Sequence, residues 1–144
     1  RNQIAKDFRS VAKPVINDAL ALVPNTVPLS GMGRKWTTPS GFKMLPWDAG
    51  RKQKISAKIN TKKVSEFRGQ IRNVGVFNII YSGSTGTLFD MAANGRLGAA
   101  LSARYGMRSR VMWKAMEKNQ GTVESEMRRI VETVMDKVDR NVVE

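Results

Sequence analysis

Side chains able to move protons or hold a metal are scarce in this chain. Its 144 residues include no histidine and no cysteine. The groups most used for acid–base work near neutral pH, for thiolate nucleophiles and for transition-metal ligation are therefore missing. Paired carboxylates are the remaining route to acid–base chemistry. Seven of the twelve acids (Glu117, Glu124, Glu126, Glu132, Asp136, Asp139 and Glu144) lie in the C-terminal region, interleaved with Lys and Arg at helical spacing. That pattern is a solvated helix face. The other five, Asp7, Asp18, Asp48, Glu66 and Asp90, are scattered singly. The sequence predicts no catalytic residue, no metal site and no cofactor, hence a protein that is not an enzyme.

Three further groupings offer chemistry and fall short of it. Gly31-Met32-Gly33-Arg34-Lys35-Trp36 resembles a phosphate loop, but Trp36 occupies the third glycine position of the dinucleotide pattern and no clear strand precedes it. The eight methionines suit packing between neighbouring helices better than soft-metal binding. Arg104, Arg108 and Arg110 surround Tyr105 ahead of Trp113 as a nucleic-acid platform would, without a recognised RNA- or DNA-binding motif to support them. Trp113 itself is expected in the core.

The charge distribution is more informative. The net charge of +13 comes mainly from residues 25–70, which hold ten basic side chains against Asp48 and Glu66. Residues 109–144 sum to zero, with seven of each sign. Such a field favours docking on phosphate or on an electronegative protein. Arg34, Lys35, Arg51, Lys52, Lys54, Lys58, Lys62 and Lys63 are the candidate basic contacts to a partner or to DNA.

These side chains must be positioned by a small α+β domain. Over residues 2–23, Ile4, Phe8, Val11, Val15, Ala19 and Leu22 recur at helical steps, with Pro14 expected to kink or split the helix. Residues 24–50 hold four of the five prolines and predict no long helix or strand. Within an extended loop or arm over 25–52, Trp36, Phe42 and Trp47 either pin the segment or serve as interface anchors. Strands are predicted at 53–61 and 70–82, with Gly75 marking a bulge or a close backbone approach. A turn at Ser82–Gly86 leads to Thr87–Phe89, read as a short strand or the start of a helical turn. Residues 91–108 read as a partly helical connection. A short helix over 109–118 capped by Ser109, a break at Asn119-Gln120-Gly121 and a second helix capped by Thr122 complete the expectation. The result is a long N-terminal helix, a small, mainly antiparallel sheet and C-terminal helices packed on one face, in a single domain over 1–144. No apolar run approaches the length of a membrane span, and the amphipathic start containing Asp7 lacks a signal-peptide pattern.

Specific stretches add a resemblance. Gly86-Thr87-Leu88-Phe89-Asp90-Met91-Ala92 is followed by a basic Gly/Ala-rich connection, Arg108-Ser109-Arg110-Val111-Met112-Trp113-Lys114-Ala115-Met116-Glu117 and a long amphipathic helix. Together with Leu45-Pro46-Trp47-Asp48, this arrangement resembles the head–tail joining or tail-completion neck proteins of tailed bacteriophages, distantly similar to the lambda minor tail protein Z group and especially to the actinobacterial-phage type. The resemblance covers residues 40–144. It implies a structural subunit of a homo-oligomeric ring at the head–tail junction of the virion, assembled in the host cytoplasm. Implied neighbours are a head-closure protein and a tail terminator, with non-specific contact to genomic DNA passing through the channel and no membrane. Two alternatives stand beside it: the tail terminator itself, and a free nucleic-acid-binding protein using the basic segment 34–68.

Overall fold

A computed structural model describes residues 2–51 and 53–142. The first element, α1 (Asn2–Leu22), runs through Pro14 without splitting. A proline costs roughly 3 kcal/mol in a helix interior. It is offset here because the opposite face of the same helix places Ala12, Val15 and Ala19 fully in the core. Pro14 itself lies on the exposed side of the helix.

Residues between α1 and the main sheet form only a 3-10 turn (Ser30–Gly33) and two-residue strands β1 (Trp36–Thr37) and β2 (Lys43–Met44), paired antiparallel. The segment is nonetheless fastened to the domain. Pro28, Met32 and Pro46 are fully buried, and the Trp47 amide donates to the Met32 carbonyl at 2.9 Å. Arg104 Nη1 and the Tyr105 hydroxyl both donate to the Pro28 carbonyl, at 3.0 and 3.3 Å.

β3 (Lys54–Phe67) and β4 (Gln70–Ser82) then form one long antiparallel hairpin. At about 3.3 Å per residue it is about 45 Å long. The first strand runs six residues beyond the predicted 53–61, because its partner continues and pairing carries it outward. The turn is Arg68-Gly69, with φ of 52° and 74°. Positive φ at both central residues gives the twist that suits a two-residue hairpin loop. Asn60 pairs with Val76 but Lys63 with Val74, so Thr61 and Lys62 stand opposite Gly75 alone. Two residues opposite one make a β-bulge, as the glycine suggested. Among the described residues no atom lies within 4 Å of the place a Gly75 Cβ would occupy, so the bulge and not a close approach accounts for the glycine.

Helices close the domain: α2 (Ser84–Met91), α3 (Gly95–Tyr105) and α4 (Met112–Val142). Thr87–Phe89 is thus helical, and the predicted break at 119–121 does not exist. α4 continues through Gly121, and neither Ser109 nor Thr122 is a cap. Ser109 adopts φ 63° outside the helix, and Thr122 lies in its interior. A mid-helix glycine costs only about 1 kcal/mol, and tertiary contacts span the position. Asn119 Nδ2 donates to Asp18 Oδ2 at 2.7 Å and to the Ala115 carbonyl at 2.9 Å, Lys118 Nζ reaches Asp18 Oδ1 at 3.0 Å, and Val123 is buried. α4 therefore runs antiparallel to α1. The core lies where α1, α4, the inner half of the hairpin and the 24–50 segment meet, and it contains Val15, Ala19, Met32, Trp47, Ile55, Phe89, Leu101, Val111, Ala115 and Val123. The architecture is α+β.

Candidate interaction surface

The segment that carried the resemblance is a structural hub. Phe89 is 1% exposed, edge-on to both Trp47 (5.7 Å) and Tyr105 (5.1 Å). Asp90 is buried, its Oδ1 accepting from the Val111 amide at 2.7 Å and its carbonyl from the Ser109 amide at 2.7 Å. Arg110, 2% exposed, spreads its guanidinium over the carbonyls of Phe89 (2.8 Å), Ala92 (2.9 Å) and Gly106 (2.8 Å) and the Ser102 hydroxyl (3.1 Å). Burial pulls the Arg110 pKa down, and the Asp90 charge opposes that shift. These contacts tie the ends of α2 and α3 to the start of α4, where backbone carbonyls lack helical partners. Arg110 and Asp90 are the residues sequence reading missed; their signal was only their place within those two motifs. The three arginines do not form one platform: Arg110 is interior, while Arg104 and Arg108 are exposed, Arg104 with one guanidinium nitrogen on the Pro28 carbonyl and its centre 5.5 Å from the Tyr105 ring centre.

What the molecule offers outward lies elsewhere. In the inner half of the hairpin, Ile55, Ala57, Ile59, Phe77, Ile79 and Tyr81 share the helix-facing side, since paired residues point the same way and the side-chain period is two. Phe77 meets Phe8 of α1 at 5.8 Å. On β4, Ile71 is six residues from Phe77 and so keeps that side. Its partner across the strands is Glu66, and Val64 lies two residues before. The bulge changes the parity of β3, so that Val64 lies on the side occupied by Ile55 and Ile59. Yet Val64–Glu66 and Arg68–Ile71 are all exposed, Val64 at 55% and Ile71 at 78%. Val64 and Ile71, with Glu66 beside them, thus prolong the helix-facing side of the sheet beyond the helices.

A complementary recess lies between β4 and α4. It is an open cleft of about 370 Å³, with Val15 of α1, Phe77 and Ile79 of β4, and Met112, Trp113, Met116 and Met127 of α4 among its walls. Trp113 is 65% exposed at its rim, not in the core as expected. Met112, Met116 and Met127 pack half-buried against the core from one continuous helix, not between two neighbouring helices as the sequence suggested, and Met91, Met107 and Met135 are exposed. A second exposed stripe, Val131, Met135 and Val138, lies on the part of α4 that runs beside the start of α1, where Gln3, Ile4 and Asp7 share a shallow recess with Ile130, Val134 and Val138.

The predicted basic residues divide. Arg34 and Lys35 are exposed ahead of β1, and Arg51 is exposed before β3. Lys54 and Lys58 are exposed on the side of β3 opposite the helices. Lys62 and Lys63 belong to the bulged part of β3, with their side chains outside the described residues; Lys52 is outside them altogether. Of the predicted anchors, Trp47 is 2% exposed, so it pins the loop and is not available to a partner. Trp36 is half-buried, its Nε1 donating to the Gly31 carbonyl at 2.9 Å. Phe42, 64% exposed beside the turn at Gly41, is the one free to meet another surface.

Among the described residues, no cluster of three or more acids could hold a metal ion, and no helix is long and apolar enough to cross a membrane. No family model matches the chain, and neither a curated protein nor a solved structure matches it.

Proposed function

We propose that this chain is a structural subunit of a phage neck ring, joining head and tail and lining or supporting the DNA channel, with no catalytic role. The observation that carries the reading is the outer half of the β3–β4 hairpin. An exposed strand pair with uncovered apolar side chains is an aggregation hazard in a monomer. It is useful only where another chain covers it. Exposed Val131, Met135 and Val138 on α4 argue the same way for a second contact. The basic residues on the opposite side of the sheet, Lys54 and Lys58, together with Arg34, Lys35 and Arg51, are left for an acidic neighbour or passing DNA.

Light scattering and native mass spectrometry, with and without DNA, test this reading. The expected result is a closed oligomer of defined copy number, visible as rings by electron microscopy and formed without DNA. A monomer that binds DNA tightly, with affinity falling steeply with salt and lost when Lys54, Lys58, Lys62 and Lys63 are neutralised, would falsify it in favour of a free nucleic-acid-binding protein.

A further inference from the structure

A two-stranded sheet is too narrow for the helices beneath it. Neighbouring strands lie about 4.8 Å apart, whereas packed helices lie about 8–10 Å apart. The hairpin covers α1, and the flank of α4 beside it is left as the open cleft lined by Met112, Met116 and Met127. Among the described residues β4 pairs with β3 alone, so its other edge borders that cleft. The space calls for one more strand-like element with an apolar helix-facing side.

The same chain displays such an element. The outer hairpin keeps Val64 and Ile71 on the side that faces helices in the inner half, and both are exposed. Charge fits as well. Trp113, Glu117 and Glu124 follow one another along one exposed face of α4 at steps of four and seven. The outer hairpin, residues 61–75, carries Lys62, Lys63, Arg68 and Arg72 against Glu66, so the arm as a whole is basic although Glu66 shares the side of Val64 and Ile71. A basic arm and an acid-rimmed apolar recess on different parts of one molecule define a head-to-tail contact, which closes into a ring when the rotation between copies permits.

We infer that the outer β3–β4 hairpin of one copy seats in the β4–α4 cleft of the next, with Val64 and Ile71 over Met112, Met116 and Met127. The neighbour thereby extends β4's sheet across α4. This inference rests on the ring reading, since it names the contact between that ring's subunits.

Because the chain has no cysteine, introduced thiols report proximity without background. Ile71→Cys and Trp113→Cys chains are mixed and joined with a short bismaleimide. The expected product is a covalent dimer between the two variants, absent when Phe42→Cys replaces Trp113→Cys. In parallel, Val64→Asp with Ile71→Asp should raise the concentration needed for assembly at least tenfold. At concentrations where both chains are unassembled, its circular dichroism and melting temperature should match the wild type, because both positions are exposed in the single chain. Glu117→Lys with Glu124→Lys should weaken assembly in the same direction. If the wild type assembles but the thiols do not join and the aspartates have no effect, the hairpin contact is wrong while the ring stands. A wild type that stays monomeric at every concentration, with no cross-link, overturns both. Loss of binding to a different phage protein in the aspartate variant, again without the self cross-link, assigns the hairpin to another chain and overturns the inference.

Discussion

At the scale of single residues, two glycines in helices have opposite needs. A Cβ on Gly98 would collide with the Ala93 carbonyl group, backbone atoms that cannot swing aside. Gly98→Ala should therefore lower the melting temperature by forcing α3 away from the end of α2. Gly121 has open space around its Cβ position, so Gly121→Ala should stabilise by about 1 kcal/mol through helix propensity. Thermal denaturation of the two variants checks both signs. Replacing Arg110 by Leu removes the donor to the carbonyls of Phe89, Asp90, Ala92 and Gly106 and to the Ser102 hydroxyl, and leaves Asp90 buried without its countercharge. The expected cost is about 3–5 kcal/mol, measured by urea unfolding.

At the scale of elements, the continuity of α4 is the feature most open to test. If Thr122 capped a separate helix, Thr122→Ala would cost about 1 kcal/mol. As an exposed interior position it should cost nothing or gain a few tenths, since alanine is the better helix former. The α1–α4 pairing has its own pH signature. Hydrogen bonds from Asn119 and then Lys118 hold the Asp18 pKa below its ordinary value of 3.8. A carboxylate with a depressed folded pKa contributes stability above its unfolded pKa and loses it as pH falls through the folded one. Asp18→Asn should therefore melt earlier than wild type at pH 6, and the difference should fade below pH 3.8.

At the scale of the whole molecule, the absence of histidine sets the response to pH. No side chain with a resolved shift is moved into the range between pH 5 and 8, so stability should be flat there. At the alkaline end, burial and then the Asp90 charge push the Tyr81 phenol up to about 12. The unfolded phenol ionises from about pH 10, so the fold loses stability as pH rises from 10 towards 12. A melting-temperature profile from pH 3 to 12 should show a plateau with both shoulders. With a net charge of +13, moderate salt should raise that plateau by screening self-repulsion.

Much of this was written in local pattern. The α1 stripe, the β4 run of branched and aromatic residues, the Gly75 bulge and the proline-rich crossing all follow from side-chain periods of 3.6 and 2 and from proline and glycine chemistry. So did the concentration of positive charge in residues 25–70, which is a property of composition. Tertiary structure decided what local pattern left balanced. Gly121 weakens a helix by an amount that the Asp18–Lys118–Asn119 contacts overcome, so one long helix forms where two were read. Trp47 and Trp113 are the same residue type, and only the partners supplied by the fold bury the first and leave the second at the rim of a cleft. Lone acid and cation positions in the sequence, Asp90 and Arg110, became a buried clasp because α2, α3 and α4 end at one point. Most of all, the sequence marks Val64 and Ile71 merely as strand residues. It takes the hairpin's length, its bulge and a helical layer that ends beneath its inner half to leave them exposed.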